Sequence, residues 1–157
     1  MAYVARTHVN PGDPGESADQ NQGMDNEAYL FARTLSVNVE LPVVHPLASC
    51  AVGDGQAYVT IPSSIGGMNL VSAHAKVITP GTTSTMLIQV RNVTQAADML
   101  STRMMIDTAE YGSDTGATPA VVDTANDDVA AYDTLAIDID QVHTTPAKGL
   151  FVILTFN

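Results

Sequence analysis

The chain has 157 residues, 45% hydrophobic and 15% charged, which is enough apolar material for one domain with a core and too much for an intrinsically disordered chain. Its formal net charge is -11, from seventeen acidic side chains against six basic ones, and such a surface repels nucleic-acid phosphates and anionic lipid. Neither nucleic acid nor membrane is therefore expected as a partner, and no apolar run approaches the roughly 18 residues of a membrane span.

The first residues are polar and punctuated. Asn10-Pro11-Gly12-Asp13-Pro14-Gly15 holds two Pro-Gly units, which forbid a regular element. The N-terminal stretch lacks the apolar core of a secretory signal, so synthesis in a reducing cytoplasm is expected. Ser17 or Asp19 then caps a short amphipathic helix expected from about residue 18 to 33. Met24, Ala28 and Phe31, with Tyr29, Leu30 and Ala32, form its apolar stripe. A helix of that length is marginal alone, so the stripe must pack on its own β-domain or on equivalent helices of an oligomer. Met24, Ala28 and Phe31 are the expected interaction residues, and residues 1–33 the expected attachment and oligomerisation arm.

From residue 34 the hydrophobic period changes from helical to two, and residues 34–157 read as a β-domain. Leu35, Val37, Val39 and Leu41 alternate with polar residues until Pro42, where the strand is expected to stop. A short strand over 47–52 and a turn at Gly53-Asp54-Gly55 lead to a strand over 57–61. Val71, Ala73, Ala75 and Val77 mark the next strand, and Thr79-Pro80-Gly81-Thr82 a turn. Met86, Ile88 and Val90 mark another strand; Leu100, Thr102, Met104 and Ile106 another; Val121-Val122 a brief one. Leu135, Ile137 and Ile139 alternate with Asp138 and Asp140. The final run, Leu150 to Phe156, is apolar at nearly every position, as expected of a central strand. About eight strands joined by Gly, Pro and Asp turns predict an antiparallel β-sandwich, jelly-roll or immunoglobulin-like, with the count favouring the jelly roll.

The strongest chemical candidate is the acidic group Asp123, Asp127, Asp128, Asp133, Asp138 and Asp140. Asp138 and Asp140 leave the same face of a strand, and a hard cation would relieve their repulsion. Asp127, Asp128, Asp138 and Asp140 are thus calcium candidates, weighed against a solvated acidic face that binds no cofactor. A glycosidase pair would also need a cleft and stacking aromatics, and with no Trp the chain is not expected to be an enzyme. His8, His45, His74 and His143 are too far apart in sequence for ligand spacing. Cys50 has no partner for a disulfide and reads as a buried thiol.

Several segments carry a likeness: Val52-Gly53-Asp54-Gly55-Gln56-Ala57-Tyr58, Thr79-Pro80-Gly81-Thr82-Thr83-Ser84-Thr85, Gln89-Val90-Arg91-Asn92-Val93-Thr94, Asp98-Met99-Leu100-Ser101-Thr102, Ala117-Thr118-Pro119-Ala120-Val121-Val122-Asp123 and Ala147-Lys148-Gly149-Leu150. In order and spacing they resemble a family of small tailed-bacteriophage virion proteins of β-sandwich type. Pro11-Gly12-Asp13, Asn21 and Asp25-Asn26 resemble anchoring segments of phage fibre and accessory virion proteins. The resemblance implies a structural virion component, a capsid decoration or accessory head protein, with no catalytic residues to carry over. Its implied partners are other copies of itself, often as trimers, and the major capsid protein or other virion proteins. A tail or fibre component is the alternative from the same likeness. A host-glycan-binding module, using Tyr58, Tyr111 or Tyr132, is the alternative from another class.

Overall fold

Alternation of apolar and polar residues makes each strand two-faced, and the buried faces decide how the strands assemble. A computed structural model of the protein describes residues 36–157. Ten strands follow one another: β1 (Val37–Ser49), β2 (Gly53–Thr60), β3 (Leu70–Thr79), β4 (Met86–Asn92), β5 (Ala97–Asp98), β6 (Leu100–Thr102), β7 (Met104–Ile106), β8 (Val121–Val122), β9 (Thr134–Gln141) and β10 (Lys148–Phe156). Among the described residues there is no helix. The helix expected over 18–33, with Met24, Ala28 and Phe31, lies outside the described residues.

The antiparallel pairings are nested. β1 pairs with β10, β2 with β9, and β4 with β5 and β7. β3 meets the segment around Gly112 through a bridge at Lys76. The chain is thus a long hairpin with four successive rungs. Two further pairings, β10 with β3 and β9 with β4, join alternate rungs side by side. The result is one sheet of order β1-β10-β3, a second of order β2-β9-β4-β5 with β7 also on β4, and a small β6-β8 ladder.

Both larger sheets feed one hydrophobic cluster. Leu150, Val152, Leu154 and Phe156 of β10 enter it with Ala73, Ala75 and Val77 of β3. Met86, Ile88 and Val90 of β4 enter it with Leu135, Ile137 and Ile139 of β9. Each large apolar side chain so buried contributes about 1.5–3 kcal/mol before entropy is charged against it.

Several local expectations are corrected. Pro42 does not end β1, which continues to Ser49 and absorbs the expected 47–52 strand in part. β1 is an outer strand, where proline is tolerated, and register shifts follow between Pro42 and Val44 and between Val44 and Ser49. Gly53-Asp54-Gly55 opens β2 rather than forming a separate turn, with a register shift against β9 before Ala57. Gly55 sits at φ +62°, a left-handed conformation that favours glycine, and the Tyr58 hydroxyl lies where a Cβ would project. The strand expected over 100–106 is two strands, because β6 pairs with β8 while β7 pairs with β4. β5, which pairs with Arg91 and Asn92 of β4, was not among the expected strands.

Candidate functional site

The acidic group is dispersed into separate structural tasks. On β9, Leu135, Ile137 and Ile139 face the core, which turns Asp138 and Asp140 to the opposite face as the period requires. Asp138 is only 4% exposed. Arg91 of β4 clamps it with two hydrogen bonds, Nε to Oδ2 at 2.6 Å and Nη2 to Oδ1 at 3.1 Å, and the Gly55 N–H donates to Oδ1 at 2.6 Å. The hydrogen bond to Asp138 raises the Arg91 pKa above its ordinary value and outweighs partial desolvation. Asp140 pairs with Arg103. The two aspartates that share a face are therefore neutralised by two arginines rather than left to a cation.

Asp133 does a different task. Its buried Oδ2 accepts from Asn92 Nδ2 at 2.9 Å, Gln95 Nε2 at 2.8 Å and the Ala130 N–H at 2.9 Å. This fastens the turn before β9, where Tyr132 is held at φ 71° and stands 72% exposed. Burial pushes the Asp133 carboxyl up, but the bonds from Asn92, Ala130 and Gln95 together hold it below the usual carboxylate range. A group whose folded pKa is depressed stabilises the fold above its unfolded value, about 3.9. That stability is lost as pH falls through the lowered folded value. In Asp133→Asn, the part of the acid-induced loss of stability below about pH 4 that Asp133 supplies should disappear, which urea titrations from pH 7 to 2 measure directly. An unchanged pH profile would show that Asp133 is not the linked group.

Asp123 accepts from Ala125 N–H at 3.1 Å and from Asn126 Nδ2 at 2.8 Å, closing its own loop. Asp127 contributes its carbonyl to Leu70 N–H at 2.7 Å, and Asp128 bridges to Asn69. Among the described residues no three His, Cys, Asp or Glu side chains are grouped to hold a metal ion. The calcium candidates Asp127, Asp128, Asp138 and Asp140 thus lie in two different settings, a turn and a paired strand face.

The histidines are likewise separate. His45 and His74 are exposed on β1 and β3, and His143 is buried against Gly81 with Nε2 3.3 Å from the Asp107 carbonyl. Cys50 is buried, and burial pushes its thiol up to about 11, so it is a poor nucleophile at neutral pH. Tyr58, Tyr111 and Tyr132 are all exposed, but Tyr58 lies on β2 while Tyr111 and Tyr132 lie in two separate loops.

One feature of the surface has no counterpart in the sequence reading. A groove of about 350 Å³ runs between β3 and the segment Pro119–Val122. Its apolar lips, Val71 and Val121, looked in the sequence like ordinary strand residues. No protein-family model, curated protein or solved structure matches the chain.

Proposed function

We propose that this chain is a structural component of a tailed-phage virion, a capsid decoration or accessory head protein built on a jelly-roll sandwich. The observation that carries this reading is the nested pairing of β1 with β10, β2 with β9, β3 with the segment at Gly112, and β4 with β5 and β7. A long hairpin rolled so that alternate rungs join is how a jelly roll is built, and that fold recurs in viral capsid and lectin domains. Fold alone does not assign function. The context comes from the likeness of the segments between Val52 and Phe156 to small phage virion proteins. Two further features agree with a part made in many copies. Ion pairs neutralise Asp114, Asp138 and Asp140 internally, and the outer edge of β1 is blunted by Pro42 and Pro46 against indiscriminate strand pairing.

In this reading residues 1–33, with Met24, Ala28 and Phe31, attach the domain to the capsid lattice and to other copies of itself, as a trimer or another closed oligomer. Many weak copies of one contact then act together. Quantitative mass spectrometry of purified particles tests it. A ratio to the major capsid protein near one, or a simple fraction of it, is the expected result. A handful of copies would move the protein to the tail or fibre, and absence from the particle would overturn the virion assignment.

A further inference from the structure

The end strands of the two larger sheets are protected to different degrees. β1 carries Pro42, Pro46 and two register shifts, devices that discourage pairing. β3 is covered along its second half, where the Val77 N–H donates to the Tyr111 carbonyl at 2.9 Å and the Ser113 N–H to the Ala75 carbonyl at 2.9 Å. β5 and β7 are two and three residues long. β2 has none of these devices. It runs for eight residues, Gly53–Thr60, without a proline, and among the described residues only β9 pairs with it.

The hydrogen bonds at the end of β2 show which residues face its open side. The Ile61 N–H donates to the Asp133 carbonyl at 2.8 Å, and the Ile61 carbonyl accepts from the Tyr132 N–H at 2.8 Å, so residue 61 faces the β9 side. Main-chain groups of a strand point alternately to its two neighbours. Val59 and Ala57, opposite Leu135 and Ile137, therefore face β9 too, and Gln56, Tyr58 and Thr60 present N–H and C=O outward. All three are exposed, Tyr58 at 62%, and among the described residues no main-chain group pairs with them on that side. The core is also incompletely closed here. β1 and β2 are end strands of their sheets and approach one another, and Val37, Val39, Val43, Val44, Ala57 and Val59 are only partly buried against the core. An apolar seam thus runs beside the open main chain.

We propose that β2 is the edge through which two copies of this chain associate, pairing antiparallel about a two-fold axis at Tyr58. The strand is complementary to itself in that register. Tyr58 meets Tyr58 of the second copy, Gln56 meets Thr60, and Ala57 meets Val59 on the core side. The outward main-chain groups at 56, 58 and 60 are then matched in both directions, as a closed two-fold contact requires. Charge selects the occupant. The chain carries a net -11, yet no charged residue lies between Gly55 and Pro62, so a second copy meets no like charge along this ladder. The nearest carboxylate, that of Asp54, falls opposite Pro62, which has no N–H and ends the ladder. A cross-strand tyrosine pair and the meeting of two apolar seams add to the main-chain bonds. This contact does not call on residues 1–33, and it stands apart from the virion assignment.

Sedimentation of the full chain should show reversible doubling of the 16.5 kDa monomer as concentration rises, and hydrogen exchange at Tyr58 and Thr60 should slow as the dimer forms. Added salt should tighten the dimer, because two copies of net charge -11 repel each other. Tyr58→Asp and Tyr58→Lys each set like charges against one another on the axis, and each should weaken self-association by about tenfold or more. Mixed together, the two variants should recover a one-to-one dimer, seen by native mass spectrometry, which two misfolded chains could not form. A chain that stays monomeric to about 1 mM, a dimer that Tyr58→Asp leaves unchanged, or a mixture that stays monomeric would each overturn the proposal. So would Tyr58 and Thr60 amides already slow to exchange in the monomer, since the edge is then covered within one chain.

Discussion

Arg91→Ala is expected to lower the unfolding free energy by about 3–5 kcal/mol, and Asp138→Asn by only about 1–2 kcal/mol. The asymmetry follows from burial. The Asp138 side chain is 6% exposed and that of Arg91 30%. Without Arg91 the carboxylate keeps a single donor, the Gly55 N–H, in a place water reaches poorly. In Asp138→Asn the amide oxygen can still accept from Gly55, and the arginine can turn its free donors to solvent. The exposed pair Lys76–Asp114 supplies the control: Lys76→Ala should cost no more than about 1 kcal/mol, because solvent screens it. Urea denaturation at pH 7 measures all three variants. If Arg91→Ala costs no more than Asp138→Asn, the carboxylate is not buried as described. The double replacement Arg91→Met with Asp138→Leu should recover much of the loss of the single Arg91 variant, since no unpaired charge remains.

How much of this was legible beforehand depends on the range of the interaction. Leu135, Ile137 and Ile139 announced β9 because a strand with one buried face must alternate, and that signal is local. The same holds for Val71 to Val77 and Met86 to Val90. The acidic residues were legible as a cluster but not as partners. Arg91 and Asp138 are 47 residues apart and meet only because β4 and β9 pair in the register that sets Gln89 opposite Asp138. Periodicity carries no information about which strands adjoin, so the ion pair and the Asp133 network were out of reach. Pro42 misled for a related reason: whether a proline ends a strand depends on whether the strand is an edge, which is a fact about topology. The groove beside β3 is the extreme case. It brings Val71 to His74 together with Pro119 to Val122, segments far apart in the chain, and the residues lining it carry no mark of that.

Ile137→Ala and Ile153→Ala form the sharpest test of how the two sheets are buried. Ile137 lies on β9, between β2 and β4, and is fully buried. Its truncation removes three methyl or methylene groups from a close-packed site and should cost about 2–5 kcal/mol. Ile153 lies on β10, equally central in its own sheet, but on the face away from the core. Its cross-strand neighbours are Glu40 and His74, both exposed. Only part of its surface is removed from water, so its truncation should cost about 1 kcal/mol or less. Both residues are isoleucines on a central strand of their sheet, and what separates them is which face they occupy. Equal losses would mean that the outer face of β1-β10-β3 is itself covered in the folded protein, and that this sheet is an inner layer rather than an outer one. Matched urea titrations of the two variants of the full chain, at one protein concentration, decide between these arrangements.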